Sequence, residues 1–158
     1  MRAVSGKMKN MTVRTMTPGD YTEVYALWQS VSGFGMRTVD DSEENITRFL
    51  ARNEGLSVVA IEDDRIVGSI LCGHDGRTAA FYHVCVHADY RGRGICGEMA
   101  GVCIEALKRE KINRISLIAF TGNRVGNAYW KKQGWTMRED SNQYILDLNA
   151  ENRTVFNP

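Results

Sequence analysis

Proline is scarce in this chain, two residues in 158, and no apolar run is long enough to span a membrane as a helix. Charge of one sign is lacking too. The formal net charge is +1, so no overall field draws the chain toward nucleic acid or an anionic membrane, and neither is expected as a partner. The four cysteines, Cys72, Cys85, Cys96 and Cys103, form no CxxC pair, which argues against a disulfide framework or a zinc site; no metal is expected. The GK[ST] that closes a P-loop is absent. No signal peptide is visible, so a cytoplasmic protein is expected.

What is present suits one globular domain: 43% of the residues are hydrophobic. Residues 1–10 are basic and polar and read as a loose extension. Regular pattern starts with a short alternating strand, Met11 to Met16. Thr17-Pro18-Gly19-Asp20 then has the order of a helix start, with a cap, a proline at the first helical position and a capping-box acid. Val24, Leu27 and Trp28 give that helix a buried face up to about Ser30. Gly33-Phe34-Gly35-Met36-Arg37 is a glycine-flanked loop, either a substrate lip or a loop pinned to the core by Phe34. A second helix starts at Asp40 to Glu44, carries Ile46, Phe49 and Leu50 inward, and ends at Gly55.

Three strands follow, Leu56 to Glu62, Ile66 to Cys72 and Ala79 to His87. Turns at Asp63-Asp64 and at His74 to Arg77 join them into an antiparallel meander. A helix from Ile95 to Lys108 buries Met99, Val102, Cys103, Ala106 and Leu107. Arg114 to Phe120 is apolar on both faces and reads as an inner strand. Asn123 to Gln133 is a short helix stopped by Gly134. Trp135 to Arg138 and Tyr144 to Leu148 read as a closing hairpin, and residues 149–158 as an unassigned tail. The order is β-α-α-β-β-β-α-β-α-β-β, an α/β (α+β) domain over 11–148 with a mixed, mostly antiparallel central sheet flanked by helices.

Between the third meander strand and its helix lies Arg91-Gly92-Arg93-Gly94-Ile95-Cys96-Gly97. Glycines let the main chain approach a ligand closely. The first helical turn presents N–H groups without partners at the positive end of the dipole, which makes an anion site suited to phosphate. Arg91 and Arg93 add positive charge. Because the strand before this turn follows antiparallel hairpins instead of opening a βαβ unit, a dinucleotide fold is excluded. Cys96, at the helix start beside arginines, is in a setting that can lower a thiol pKa.

These stretches resemble the GCN5-related N-acetyltransferases over roughly Met11 to Leu148. The acetyl-CoA signature Q/R-x-x-G-x-G/A is matched by Arg91-Gly92-Arg93-Gly94-Ile95-Cys96 until the last place, where Cys96 stands for glycine or alanine. The run before it, Val84 to Tyr90, matches Leu-x-Val-x-Pro-x-Tyr, with Ala88 for proline. The second signature, Asn-x-x-Ala-x-x-Phe-Tyr-x-x-x-Gly-Phe, appears from Asn123 to Trp135. The YpeA and ribosomal-protein-acetylase type is the bacterial subgroup most resembled. The resemblance implies an N-acetyltransferase that moves the acetyl group of acetyl-CoA directly to an amine, whether a protein N-terminus, a lysine or a small amine. The alternative is a coenzyme A-binding regulatory module without transfer. It implies that residues 91 to 96 wrap the pyrophosphate through main-chain amides, that Val84, Cys85 and Val86 carry the pantetheine arm, and that Asn123 and Trp130 face the cofactor. A monomer or homodimer is expected.

The chemistry asks for a base, since an amine with a pKa near 10 is mostly protonated at neutral pH. His83 on the central strand is the first candidate, with Tyr82 expected on the opposite face and His87 nearer the phosphates; His74 belongs to a turn. The leaving thiolate is served in the family by a tyrosine where this chain has Trp130, and an indole is not a useful acid. Either Tyr129 reaches in, or the thiolate leaves without a side-chain acid. The loop at Phe34, Met36 and Arg37 with the Asp40-Asp41 pair forms one wall for a cationic acceptor, or the acids only cap the second helix.

Overall fold

A computed structural model describes residues 10–158, so the expected extension lies almost wholly outside the described residues. The elements are β1 (Thr12–Thr15), α1 (Tyr21–Gln29), β2 (Gly35–Arg37), α2 (Glu43–Arg52), β3 (Val58–Glu62), β4 (Arg65–His74), β5 (Ala79–Val86), α3 (Ile95–Arg109), β6 (Ile115–Ser116), α4 (Arg124–Lys132) and β7 (Thr154–Phe156). A five-stranded sheet runs β1-β3-β4-β5-β6. Its first four strands are antiparallel, and β6 joins parallel to β5. This is the expected mixed sheet with helices around it.

Strand alternation, shifted in β4 by an extra residue at Val67 opposite β3, assigns the two faces. Val58, Ala60, Val67, Cys72 and Phe81 point to one side and pack with Met99, Cys103 and Leu107 of α3. Val59, Ile66, Leu71 and Cys85 point to the other and meet Val24, Leu27 and Trp28 of α1 and Ile46 and Leu50 of α2. The β3–β4 turn places Asp63 and Asp64 at φ of 53° and 58°, the paired left-handed conformation that a two-residue hairpin needs. At Gly68 an added Cβ would lie 2.9 Å from Met99 Cε, so this glycine sets how closely α3 lies on β4.

At the first helix, a 3-10 turn at Pro18–Asp20 leads into α1, and the Asp20 carboxylate accepts from the Thr17 N–H at 2.8 Å. The same carboxylate takes two 2.8 Å bonds from Arg14, which hold it below the usual carboxylate range. The Ser42 hydroxyl caps α2.

Four expectations change. The strand expected at Arg114 to Phe120 is paired only at Ile115–Ser116, and Ile118 and Phe120 are exposed. The closing hairpin does not form: Trp135 to Arg138 and Tyr144 to Leu148 carry no strand, with Leu146 82% and Leu148 93% exposed. The reason lies one element earlier. Once residues 117–120 leave the sheet, the alternating stretch at 144–148 has no edge to pair with. The unassigned tail instead supplies β7, which pairs antiparallel with β2 inside the glycine loop, Gly35 opposite Phe156 and Arg37 opposite Thr154. On α3, Val102 is 41% exposed and not part of the core stripe.

Candidate active site

The site begins where β5 and β6 part. They pair only at Ala79–Ile115 and Ala80–Ser116, so the β5 edge from Phe81 onward is free on that side. Val84 and Val86 stand on this free edge, packed toward α3, while Cys85 is buried on the opposite side with its thiol pushed up to about 12 by burial. An irregularity lies just beyond the parting, on the β4 side of β5. Ser69 pairs with Cys85 but Leu71 pairs with Tyr82, so an extra residue is bulged in β5. The bulge falls at His83, whose φ is 48°. A left-handed conformation at a non-glycine residue costs on the order of 1–3 kcal/mol and persists where surrounding contacts enforce it.

Those contacts are present. The Ser69 hydroxyl donates to the His83 carbonyl at 3.2 Å and accepts from Trp28 Nε1–H at 2.9 Å. The His83 ring lies 4.6 Å from Trp28 and 4.9 Å from Phe34, centroid to centroid. Its Nε2 is 2.7 Å from Asp41 Oδ1, and Asp41 Oδ2 accepts from the Arg37 N–H at 2.6 Å. Asp41 is 4% exposed and therefore not a wall facing solvent; Asp40 is the exposed member of the pair. The bulge also overturns the expectation for Tyr82. Its ring meets Phe49 of α2, so Tyr82 and His83 lie on the same side of the sheet.

Phe34 pins the glycine loop from within, and the tail clamps it from outside. The Asn157 side chain donates to the carbonyls of Trp28 and Val31, and the Asn152 side chain accepts from the N–H groups of Val39 and Asp40. Thr38 and Arg153 exchange bonds, and Arg37 reaches Thr154 and lies 3.7 Å from Asp147. None of this was visible in the tail's sequence, which has no periodicity.

At the far end of β5, Gly92 and Gly94 adopt φ of 76° and 79°, and a Cβ added at either would meet nothing within 4 Å. No main-chain N–H from Gly92 to Gly97 donates to another described residue. The turn is thus an open row of donors at the start of a fifteen-residue helix, which fits the phosphates of coenzyme A. The spacing Gly92-x-Gly94-x-x-Gly97 coincides with the dinucleotide fingerprint and, against expectation, β5, α3 and the parallel β6 do form a βαβ unit; but β6 pairs over only two residues and every other strand pair in the sheet is antiparallel, so the doubly wound parallel sheet of a dinucleotide fold is absent. The two arginines do less than expected. Arg93 is tied to the buried Glu62 at 3.2 Å and lies over the Tyr90 ring, and Arg91 Nε donates to the Val86 carbonyl. Arg93 is offset by Glu62, so the positive character of the turn comes from its N–H groups and from Arg91.

Cys96 also differs from expectation, because burial raises its thiol pKa instead of the helix start lowering it. Its partner is Tyr129, whose phenol is pushed above its ordinary value by burial and by this thiol. Tyr129 therefore stands at the glycine turn and not beside His83. Trp130 packs on Trp135 and the α3-side core, and the Asn123 side chain caps α4 by accepting from the Gly126 N–H. His87 caps the short turn at Ala88–Tyr90, and His74 bridges Gly76 and Glu110; both are structural. Among the described residues no cluster of His, Cys, Asp and Glu could hold a metal, and no helix is long and apolar enough to cross a membrane.

A sheet that parts beside an open row of main-chain donors agrees with the acyl-CoA-dependent transferase expected from the sequence. The Acetyltransferase (GNAT) family model matches residues 21–135, and the chain belongs to that family. An acetyltransferase of Sodalis glossinidius is 31% identical over 129 residues, covering 82% of this chain and 89% of that one. In fold, the chain is similar to the PaiA N-acetyltransferase of Thermoplasma acidophilum in complex with coenzyme A, with a TM-score of 0.71 at 14% identity over 83% of this chain and 92% of that one. The ribosomal-protein-alanine N-acetyltransferase of Brucella melitensis aligns with a TM-score of 0.62 at 16% identity, over 87% and 99% of the two chains. The protein is an acetyl-CoA-dependent N-acetyltransferase.

Proposed function

We propose that this enzyme acetylates a primary amine that enters between the β2–β7 ribbon and β5, with His83 as the base. The observation that carries this is the bulge at His83. It stands beside the stretch of β5 left unpaired by β6 and turns an imidazole to the α1 side of that strand, next to the glycine loop. Acetyl-CoA supplies the thioester. The free N–H groups of residues 92 to 97 hold its phosphates, and the open edge at Val84 to Val86 offers main-chain bonds to its arm. An edge N–H there also serves the oxygen on which charge develops. His83 removes the proton from the incoming ammonium, which leaves the amine lone pair free to attack. Tyr129 borders the glycine turn, at the phosphate end of the slot, and the thiolate departs without a side-chain acid. Asp40 and Asp147, both exposed around the single charge of Arg37, leave the entrance net negative, which favours a cationic acceptor.

The test is coenzyme A release from acetyl-CoA across a panel of peptide N-termini, lysine peptides and small amines. Turnover with members of the panel, abolished in Gly94→Glu, supports the reading. Tight acetyl-CoA binding with no turnover on any amine would leave a coenzyme-binding module.

A further inference from the structure

We infer that Asp41 is a positioning residue for this reaction. Its carboxylate holds His83 as the Nε2–H tautomer and leaves Nδ1 as the atom that takes the amine's proton. The inference rests on the reading of His83 as base and specifies which atom acts and what fixes it.

A carboxylate in its ionised form only accepts hydrogen bonds, so the imidazole nitrogen facing it donates. Nε2 faces Asp41 Oδ1 at 2.7 Å. A neutral imidazole carries one N–H, so the lone pair is then on Nδ1. Among the described residues Nδ1 has no hydrogen-bond partner, and no buried side-chain nitrogen or oxygen is left unsatisfied. Nδ1 therefore reaches accessible surface, although the His83 side chain as a whole is only 14% exposed. The ring is closed in by Trp28, Phe34 and Asp41 and open at the one nitrogen still able to accept a proton.

Asp41 is itself over-determined. Its N–H donates to the Arg37 carbonyl at 3.1 Å, its carbonyl accepts from the Tyr21 hydroxyl at 2.6 Å, and its second carboxylate oxygen takes the Arg37 N–H. Bonds from α1 and from the loop thus fix the Asp41 main chain, the Arg37 N–H fixes one carboxylate oxygen, and the other oxygen is spent on His83. An acid serving only to cap α2 would not be arranged so, and Ser42 already fills that cap. The proton balance is simple: the ammonium N–H bond breaks, an Nδ1–H bond forms, and the imidazolium charge lies against the Asp41 carboxylate.

Imidazole nitrogen NMR on the full chain tests this without a known acceptor. At pH 9, above the ordinary imidazole value of about 6.5, the His83 resonances, assigned by their loss in His83→Gln, are expected to show a protonated Nε2 and a bare Nδ1. An Nδ1–H tautomer in the wild type overturns the inference. In turnover, Asp41→Asn is near-isosteric but can satisfy only one of the two N–H groups. It is expected to lower kcat by roughly 10- to 100-fold while acetyl-CoA affinity stays within twofold and the fold is kept by circular dichroism. Undiminished kcat in Asp41→Asn beside an inactive His83→Gln overturns the role of Asp41 and leaves the base in place. Undiminished turnover in His83→Gln removes the base reading itself.

Discussion

Up to Ile112 the chain alternates buried and exposed residues as a packed sheet and its helices require; beyond Ile112 no described residue is buried. Both regions carry apolar alternation of similar quality. In the first, each strand of the meander finds its partner within a few residues, and α1, α2 and α3 cover the two faces. In the second, Leu117 to Phe120 and Tyr144 to Leu148 would have to find each other across α4, after β6 has already left β5. Apolar pattern thus makes a strand only where a partner edge is at hand. The proposed cofactor slot opens from the packed region, which supplies the free edge of β5, His83 and the glycine turn.

The sharpest break of this contrast is functional. His83→Gln is expected to cut turnover by roughly 10²- to 10⁴-fold at unchanged acetyl-CoA affinity, measured with an accepted amine. Next comes a stability pair. Trp28 is fully buried and bonded to Ser69, so Trp28→Ala should cost about 3–5 kcal/mol in denaturant unfolding. Leu146→Ala should stay within about 0.5 kcal/mol. Equal costs would dissolve the distinction between the regions. Third, Gly94→Glu places a carboxylate on the donor row and should weaken acetyl-CoA at least tenfold, about 1.4 kcal/mol, by calorimetry on a folded protein.

A smaller effect is expected where the regions touch. Asn157→Ala removes two bonds from the tail to α1 and the loop beyond it. It should raise the acceptor KM severalfold with acetyl-CoA affinity intact; a changed coenzyme affinity instead would place the tail in the cofactor site. The least effect concerns acid. The Asp20 carboxyl is depressed by its bond to Arg14. Its contribution is present above the unfolded value near 3.9 and is lost as pH falls through the lower folded value. With Arg14 half exposed, that contribution is about 1 kcal/mol or less, read as a flatter low-pH limb of stability in Asp20→Asn.

The meander, the three main helices and the glycine turn were legible because their signals are local: alternation, caps and turn residues within reach of one another. Glu62 as the partner of Arg93, and Asp41 as that of His83, were not, since each pair joins residues some thirty to forty positions apart. The reversed face of Tyr82 follows from one inserted residue, which no periodicity reveals. The loss of the expected hairpin has the same origin, because pattern records which residues are apolar and not whether an edge remains for them. The tail was illegible because its bonds are made by asparagine and threonine side chains to the main chain of a distant loop.

That tail also sets an order of events. Arg37 meets Thr154, 117 residues later, and Trp28 meets Asn157, 129 residues later. At ordinary rates of synthesis the loop waits on the order of ten seconds for its partner strand. The glycine turn and the strand before it are complete well within that interval. The nascent chain therefore carries β5 and the glycine turn before residues 154–157 can fix the loop beside His83. A chain without residues 153–158 is expected to fold its five-stranded sheet and still lack the clasp on that loop.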